Sequence, residues 1–135
     1  MTRKEAREYC FILMFEYEFQ KNTAEELLSY FEDNDIKLGN QKNYIEGLLN
    51  TALKNLDKID QLIEKYTKGW KINRLPKVTL SVLRVAICEI MYFDDIPDGI
   101  AINEAVELAK KYNDEKNGKF VNGVLSSVSK GKLDE

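Results

Sequence analysis

The sequence contains no histidine. That absence removes the commonest general base, the commonest metal ligand and the usual partner of a nucleophilic serine or cysteine. Triads and His-containing zinc sites are excluded, and no residue pattern marks a catalytic centre, a metal site or a cofactor site, so the chain does not read as an enzyme. The two cysteines, Cys10 and Cys88, lie far apart inside apolar helical runs. They lack the C-x-x-C spacing of zinc or redox sites and are expected to be reduced core thiols. Long apolar runs are also missing. The apolar run Tyr9 to Phe15 is seven residues long and the longest uncharged stretch, Phe120 to Ser129, is ten, against the roughly 20 that cross a bilayer, and no small-residue cleavage site follows the first run. A cytoplasmic chain with no membrane partner is the expectation. Nor is positive charge in excess: 20 Lys and Arg stand against 23 Asp and Glu, a net charge of -3. No whole-protein basic field exists to attract nucleic acid or an anionic surface.

What is present is material for one helical domain. Of 135 residues, 44% are apolar and 32% charged, with two prolines and seven glycines, and nothing marks disorder. Helical periodicity dominates and strand-like alternation is nearly absent. A first helix over about Arg3 to Gln20 carries apolar residues on both sides, as a central helix does. Thr23, with Glu26 three residues on, has the capping-box pattern and opens a short helix through Leu27, Leu28 and Phe31. From Gln41 to Ile63 apolar residues recur at three- and four-residue steps, with a break expected near Asn55 to Asp57. Thr67 to Pro76, holding Gly69, Pro76 and a run of cations, reads as a joint between two halves. A helix over about Pro76 to Phe93 is apolar almost all round, and Asp94 to Gly99, with Pro97, ends it. Helices from about Ala101 to Tyr112 and from near Gly118 complete an all-α chain of six or seven helices. Gly123 inside the last helix costs about 1 kcal/mol relative to alanine, for which close packing against another helix is the expected reason.

Charge is zoned. From Glu16 to Asp35 seven acids face one lysine; from Lys65 to Arg84 there are six cations and no acid; from Glu89 to Glu107 six acids and no cation. Lys110 to Lys132 holds six lysines against Asp114 and Glu115. Such blocks are either solvated helix faces or a cationic surface for phosphates with acidic surfaces for a basic partner. Arg3, Lys4 and Arg7 sit on the first turns of the first helix, where cations oppose the helix dipole and so do not serve helix stability. The segment Asn117-Gly-Lys-Phe-Val-Asn-Gly places Lys119 and Phe120 at an expected helix start, an anion site in principle. Phe120 reads either as the first core residue of that helix or as an aromatic that stacks an unpaired base.

Gly69-Trp-Lys-Ile-Asn-Arg-Leu-Pro-Lys-Val, Val82-Leu-Arg-Val-Ala-Ile-Cys-Glu-Ile, Ile96-Pro, Ala101-Ile-Asn-Glu-Ala-Val-Glu-Leu-Ala-Lys-Lys-Tyr and Lys119-Phe-Val-Asn-Gly-Val-Leu, in this order, resemble the NusB family of transcription antitermination factors. The Glu5-Ala-Arg-Glu start is similar too. The resemblance implies two packed helical subdomains in a single NusB-like domain over 1–135, divided as 1–67, a joint at 68–76, and 77–135. It implies pairing with NusE, a small ribosomal protein, binding of the single-stranded boxA element of nascent rRNA, and work within the RNA polymerase antitermination complex. It maps RNA contact onto Arg3, Lys4 and Arg7 at the start, and onto Lys116, Lys119, Phe120 and Asn122 near the end.

The chain departs from the family pattern in three places. The basic start is short and interrupted by Glu5. Lys116 and Asn117 stand where members often carry an acid and a serine, and Thr79-Leu80 replaces a charged pair common after the valine. Two other readings stay in view. One is a helical interaction module that binds proteins but no RNA. The other, a fragment of an rRNA cytosine methyltransferase, is set aside because the sequence shows no glycine-rich cofactor loop. A homodimer stays open, since an apolar helix face serves a core or a second copy equally well.

Overall fold

The computed structural model describes residues 1–133; positions 134–135 of the expected C-terminal subdomain lie outside the described residues. Seven α-helices follow in order: α1 Arg3–Gln20, α2 Ala24–Asp33, α3 Lys42–Lys54, α4 Leu56–Tyr66, α5 Lys77–Tyr92, α6 Asp98–Tyr112 and α7 Glu115–Leu133. Short 3-10 turns at Gly39–Gln41 and Ile72–Arg74 lead into α3 and α5, and no strand occurs among the described residues. The all-α expectation with six or seven helices holds.

Local chemistry sets the helix ends. Thr23 caps α2 with the capping box that its sequence carries. A second box opens α1: Thr2 Oγ1 accepts from the Glu5 N–H at 3.1 Å, and the Glu5 carboxylate accepts from the Thr2 N–H at 2.8 Å. Glu5 thus places negative charge at a helix start and offsets the cations around it. Asn55 divides α3 from α4, where the break is expected. Pro76 and Pro97 stand immediately before α5 and α6. α6 begins at Asp98 rather than near Ala101, and α7 at Glu115 rather than near Gly118. The reason at α7 is Asp114, whose carboxylate accepts from the Asn117 N–H at 2.7 Å and caps the helix one turn early.

α5 is the centre of the fold. It packs against α1, α3, α4, α6 and α7, and every residue from Thr79 to Ile90 is buried, which is why its sequence is apolar nearly all round. Full burial of side chains such as Leu80, Leu83 and Ile87 stabilises by about 1.5–3 kcal/mol each. Two charged residues of this helix are buried as well, and each has partners, as burial requires. Arg84 donates to both Asp60 oxygens at 2.9 and 2.8 Å and to Glu18 at 3.0 Å, tying α5 to α4 and α1. Glu18 also faces Lys21 at 2.8 Å and Lys77 at 3.4 Å. Burial disfavours its charged form, but the hydrogen bonds from Lys21 and Arg84 win and hold its carboxyl at about 2. Cys10 and Cys88 are buried free thiols; burial pushes Cys88 up to about 12 and raises Cys10 as well.

In α7 the close-packed glycine is Gly118 and not Gly123. A Cβ at Gly118 would lie 2.9 Å from Lys110 Cγ, so the absent side chain lets α7 close on α6. At Gly123 a Cβ would meet nothing within 4 Å. Close packing is therefore not the reason for Gly123, contrary to the expectation from sequence.

Candidate nucleic-acid interface

The first group of expected contact residues lies on the opening turns of α1, and most of its charge is spent inside the protein. Arg7 is only 5% exposed. Its Nε donates to the two Glu89 oxygens at 3.2 and 2.8 Å, and its Nη1 lies 3.5 Å from Glu104. The Tyr44 hydroxyl donates to Glu89 as well. Burial opposes the charge on Arg7, and Glu89, together with Tyr44 and Glu104, more than offsets it. Arg7 is thus not the surface cation that its position near the chain start suggests, because a fully buried Glu89 on α5 demands a cationic partner.

Arg3 lies over the Tyr44 ring, 4.3 Å from its centroid, and donates to Gln41 at 2.6 Å. Lys4 is exposed, with its ammonium 2.5 Å from Glu107 and 3.8 Å from Glu104. Lys4, Arg7, Glu8, Glu104, Glu107, Lys110 and Lys111 line a groove of about 370 Å³ between α1 and α6. It carries four cations and three carboxylates, and the Glu8 carboxylate takes Lys111 at 2.7 Å and the Tyr112 hydroxyl.

The second group lies at the start of α7. Because the helix begins at Glu115 and Asp114 occupies the Asn117 N–H, the expected free helix start before Lys119 is not there. What the structure builds instead is a groove of about 350 Å³ between α5, α7 and the joint, lined by Trp70, Leu75, Pro76, Thr79, Asp114, Lys116, Asn117 and Phe120. The Phe120 ring is partly buried against the core and also lines this groove. Lys116 stands one turn before it on the same face, and both Lys116 and Lys119 are exposed with no ion pair among the described residues. Asn122 is exposed but lies two residues past Phe120, about 200° round the helix, and does not line the groove. Lys4 and Arg7 line one groove and Lys116 and Phe120 another.

Trp70 is the residue that sequence reasoning did not single out. It is 47% exposed and lines the groove with Phe120. Its signal was available: the chain's one tryptophan sits inside the acid-free run from Lys65 to Arg84. Among the described residues no cluster of acids and cysteines could hold a metal ion, and no helix is long and apolar enough to cross a membrane.

The NusB family model matches residues 4–130. The transcription antitermination protein NusB of Ruminiclostridium cellulolyticum is 45% identical over 133 residues, covering 98% of this chain and 92% of the relative. That of Listeria monocytogenes is 37% identical over 129 residues, covering 96% and 97%. The solved structure of T. maritima NusB superposes with a TM-score of 0.87 at 35% identity, covering 96% of this chain and 92% of the other. A chain from the crystal structure of antitermination factors NusB and NusE in complex with dsRNA gives a TM-score of 0.86 at 35% identity, covering 96% of each.

Proposed function

Because the chain belongs to the NusB family, we propose that it binds RNA together with NusE, takes the single-stranded boxA element of nascent rRNA, and works in the RNA polymerase antitermination complex. The observation that carries the reading is the groove at the start of α7, where the half-buried Phe120 ring lies beside the exposed Lys116, which has no ion pair among the described residues. An aromatic face next to cations suits an unpaired base with its phosphate. The relative solved with NusE and dsRNA supports both partners. Of the residues expected to touch RNA, Lys116, Lys119 and Phe120 form the contact, Arg3 and Lys4 supply a secondary cationic edge, and Arg7 positions α1 from inside. Asn122 serves RNA on a separate flank of α7.

A protein-only interaction module is the competing reading, favoured by the pairing of Lys4 and Arg7 with carboxylates. Titrating labelled boxA RNA, single- and double-stranded, with and without NusE at two salt concentrations separates the two. The expected result is tighter binding of the single strand with NusE present, with log K falling by about 0.7 per phosphate neutralised for each unit of log salt. No RNA binding with NusE present overturns the proposal.

A further inference from the structure

We propose that the joint between α4 and α5, Lys68–Arg74, is a second RNA-binding element: Trp70 stacks an unpaired base across the groove from Phe120, while Lys71 and Arg74 hold flanking phosphates. This rests on the RNA-binding reading above and extends it to residues that nothing in the family resemblance assigned.

Three observations carry it. First, the chain's one tryptophan is 47% exposed and lines one groove together with Phe120, Leu75 and Pro76. Second, the cations divide into two classes. Arg7, Lys77 and Arg84 each meet a carboxylate, as does Lys4 at the α1–α6 groove. Lys68, Lys71 and Arg74 are exposed and have no ion pair among the described residues. The chain carries no acid from Lys65 to Arg84, and Glu64, the acid just before that run, is engaged by the Ile72 N–H.

Third, the joint is held in place. Lys68 and Gly69 turn the chain with φ of 56° and 97°, a region where glycine is at home. The Thr67 hydroxyl donates to the Trp70 carbonyl at 3.3 Å, and the Glu64 carboxylate accepts from the Ile72 N–H at 3.0 Å. A ring displayed on an anchored turn loses little freedom on binding, which favours affinity. The acid that borders the groove, Asp114, is occupied in capping α7. Stacking faces beside a cationic track are what single-stranded nucleic acid requires. An acidic protein segment would use the lysines but leave the pair of rings without a matching partner.

The test uses the full chain with NusE and labelled single-stranded boxA RNA. Trp70→Ala is expected to weaken binding by about five- to a hundredfold, with Trp70→Phe recovering most of it and circular dichroism unchanged. Lys71→Ala with Arg74→Ala is expected to reduce the slope of log K against log salt by about 1.4, for two phosphates. Since Trp70 is the one tryptophan, its emission, taken as the difference between the wild type and Trp70→Phe, should be quenched as RNA is added. Variants that bind RNA like the wild type with an unchanged salt slope overturn this proposal while Phe120→Ala still reports on the reading beneath it. No RNA binding by the wild type overturns both. If Trp70→Ala weakens NusE binding in the absence of RNA and leaves RNA binding by the complex intact, the joint is a protein surface and the proposal falls.

Discussion

The Thr79 hydroxyl donates to the side-chain carbonyl of Asn117 at 2.7 Å, joining the first turn of α5 to the first turn of α7. Both positions read from the sequence as departures from the pattern of the family it resembles, and in the structure they meet in one hydrogen bond beside the groove. Thr79→Val should cost about 0.5–1.5 kcal/mol, the usual worth of such a bond. A double-mutant cycle with Asn117→Ala, read by urea unfolding, should show that the two losses do not add.

Arg7→Ala should act on stability rather than on RNA contact. It leaves Glu89 buried without its cation, a loss of about 3–5 kcal/mol, while RNA affinity per folded molecule stays unchanged. Lys4→Ala, which breaks an exposed pair, should leave stability nearly unchanged. Chemical denaturation and RNA titration on the same preparations separate the two effects.

Glu18 gives the fold an acid limit. Its carboxyl is lowered from 4.5 to about 2 in the folded state. Because the folded value is the lower one, the charged group adds stability that is fully present above about pH 4.5 and is lost as pH falls towards 2. At about 1.36 kcal/mol per pKa unit the loss is at most about 3 kcal/mol. Glu18→Gln should be less stable at neutral pH and should show a flatter fall in unfolding free energy below pH 4.5.

Phe120→Ala removes a stacking face worth about 1–3 kcal/mol of RNA binding and also part of the core packing around α7. Phe120→Leu keeps much of the apolar volume and removes the ring. It should therefore retain most of the stability while losing RNA affinity. Equal affinity of the leucine variant and the wild type would assign Phe120 to packing alone.

Gly123→Ala should stabilise the protein by about 1 kcal/mol, since an added Cβ meets nothing within 4 Å. Thermal unfolding should shift upwards by a few degrees.

Much of the fold is legible in the sequence because local rules and burial agree. Thr23 and Glu26 announce α2, Asn55 marks the break after α3, and the apolar girth of α5 reflects a helix enclosed on every side. The start of α7 was missed because Asp114 competes with the Asn-Gly pairs as a boundary signal, and capping favours the aspartate. The candidate interface is less legible. Charge order along the chain shows neither that Arg7 turns inward to Glu89 nor that Trp70, fifty residues before Phe120 in the chain, shares its groove. Those are long-range pairings, settled by packing.

The central place of α5 also sets how the molecule breathes. Its backbone amides, enclosed by five other helices, exchange with solvent through openings close to global unfolding, whereas α2, which packs chiefly on α3, opens at a far smaller free energy. The start of α7 is bonded directly to α5 through Thr79, so the groove is mounted on the slowest-exchanging part of the protein and keeps its shape while the periphery fluctuates.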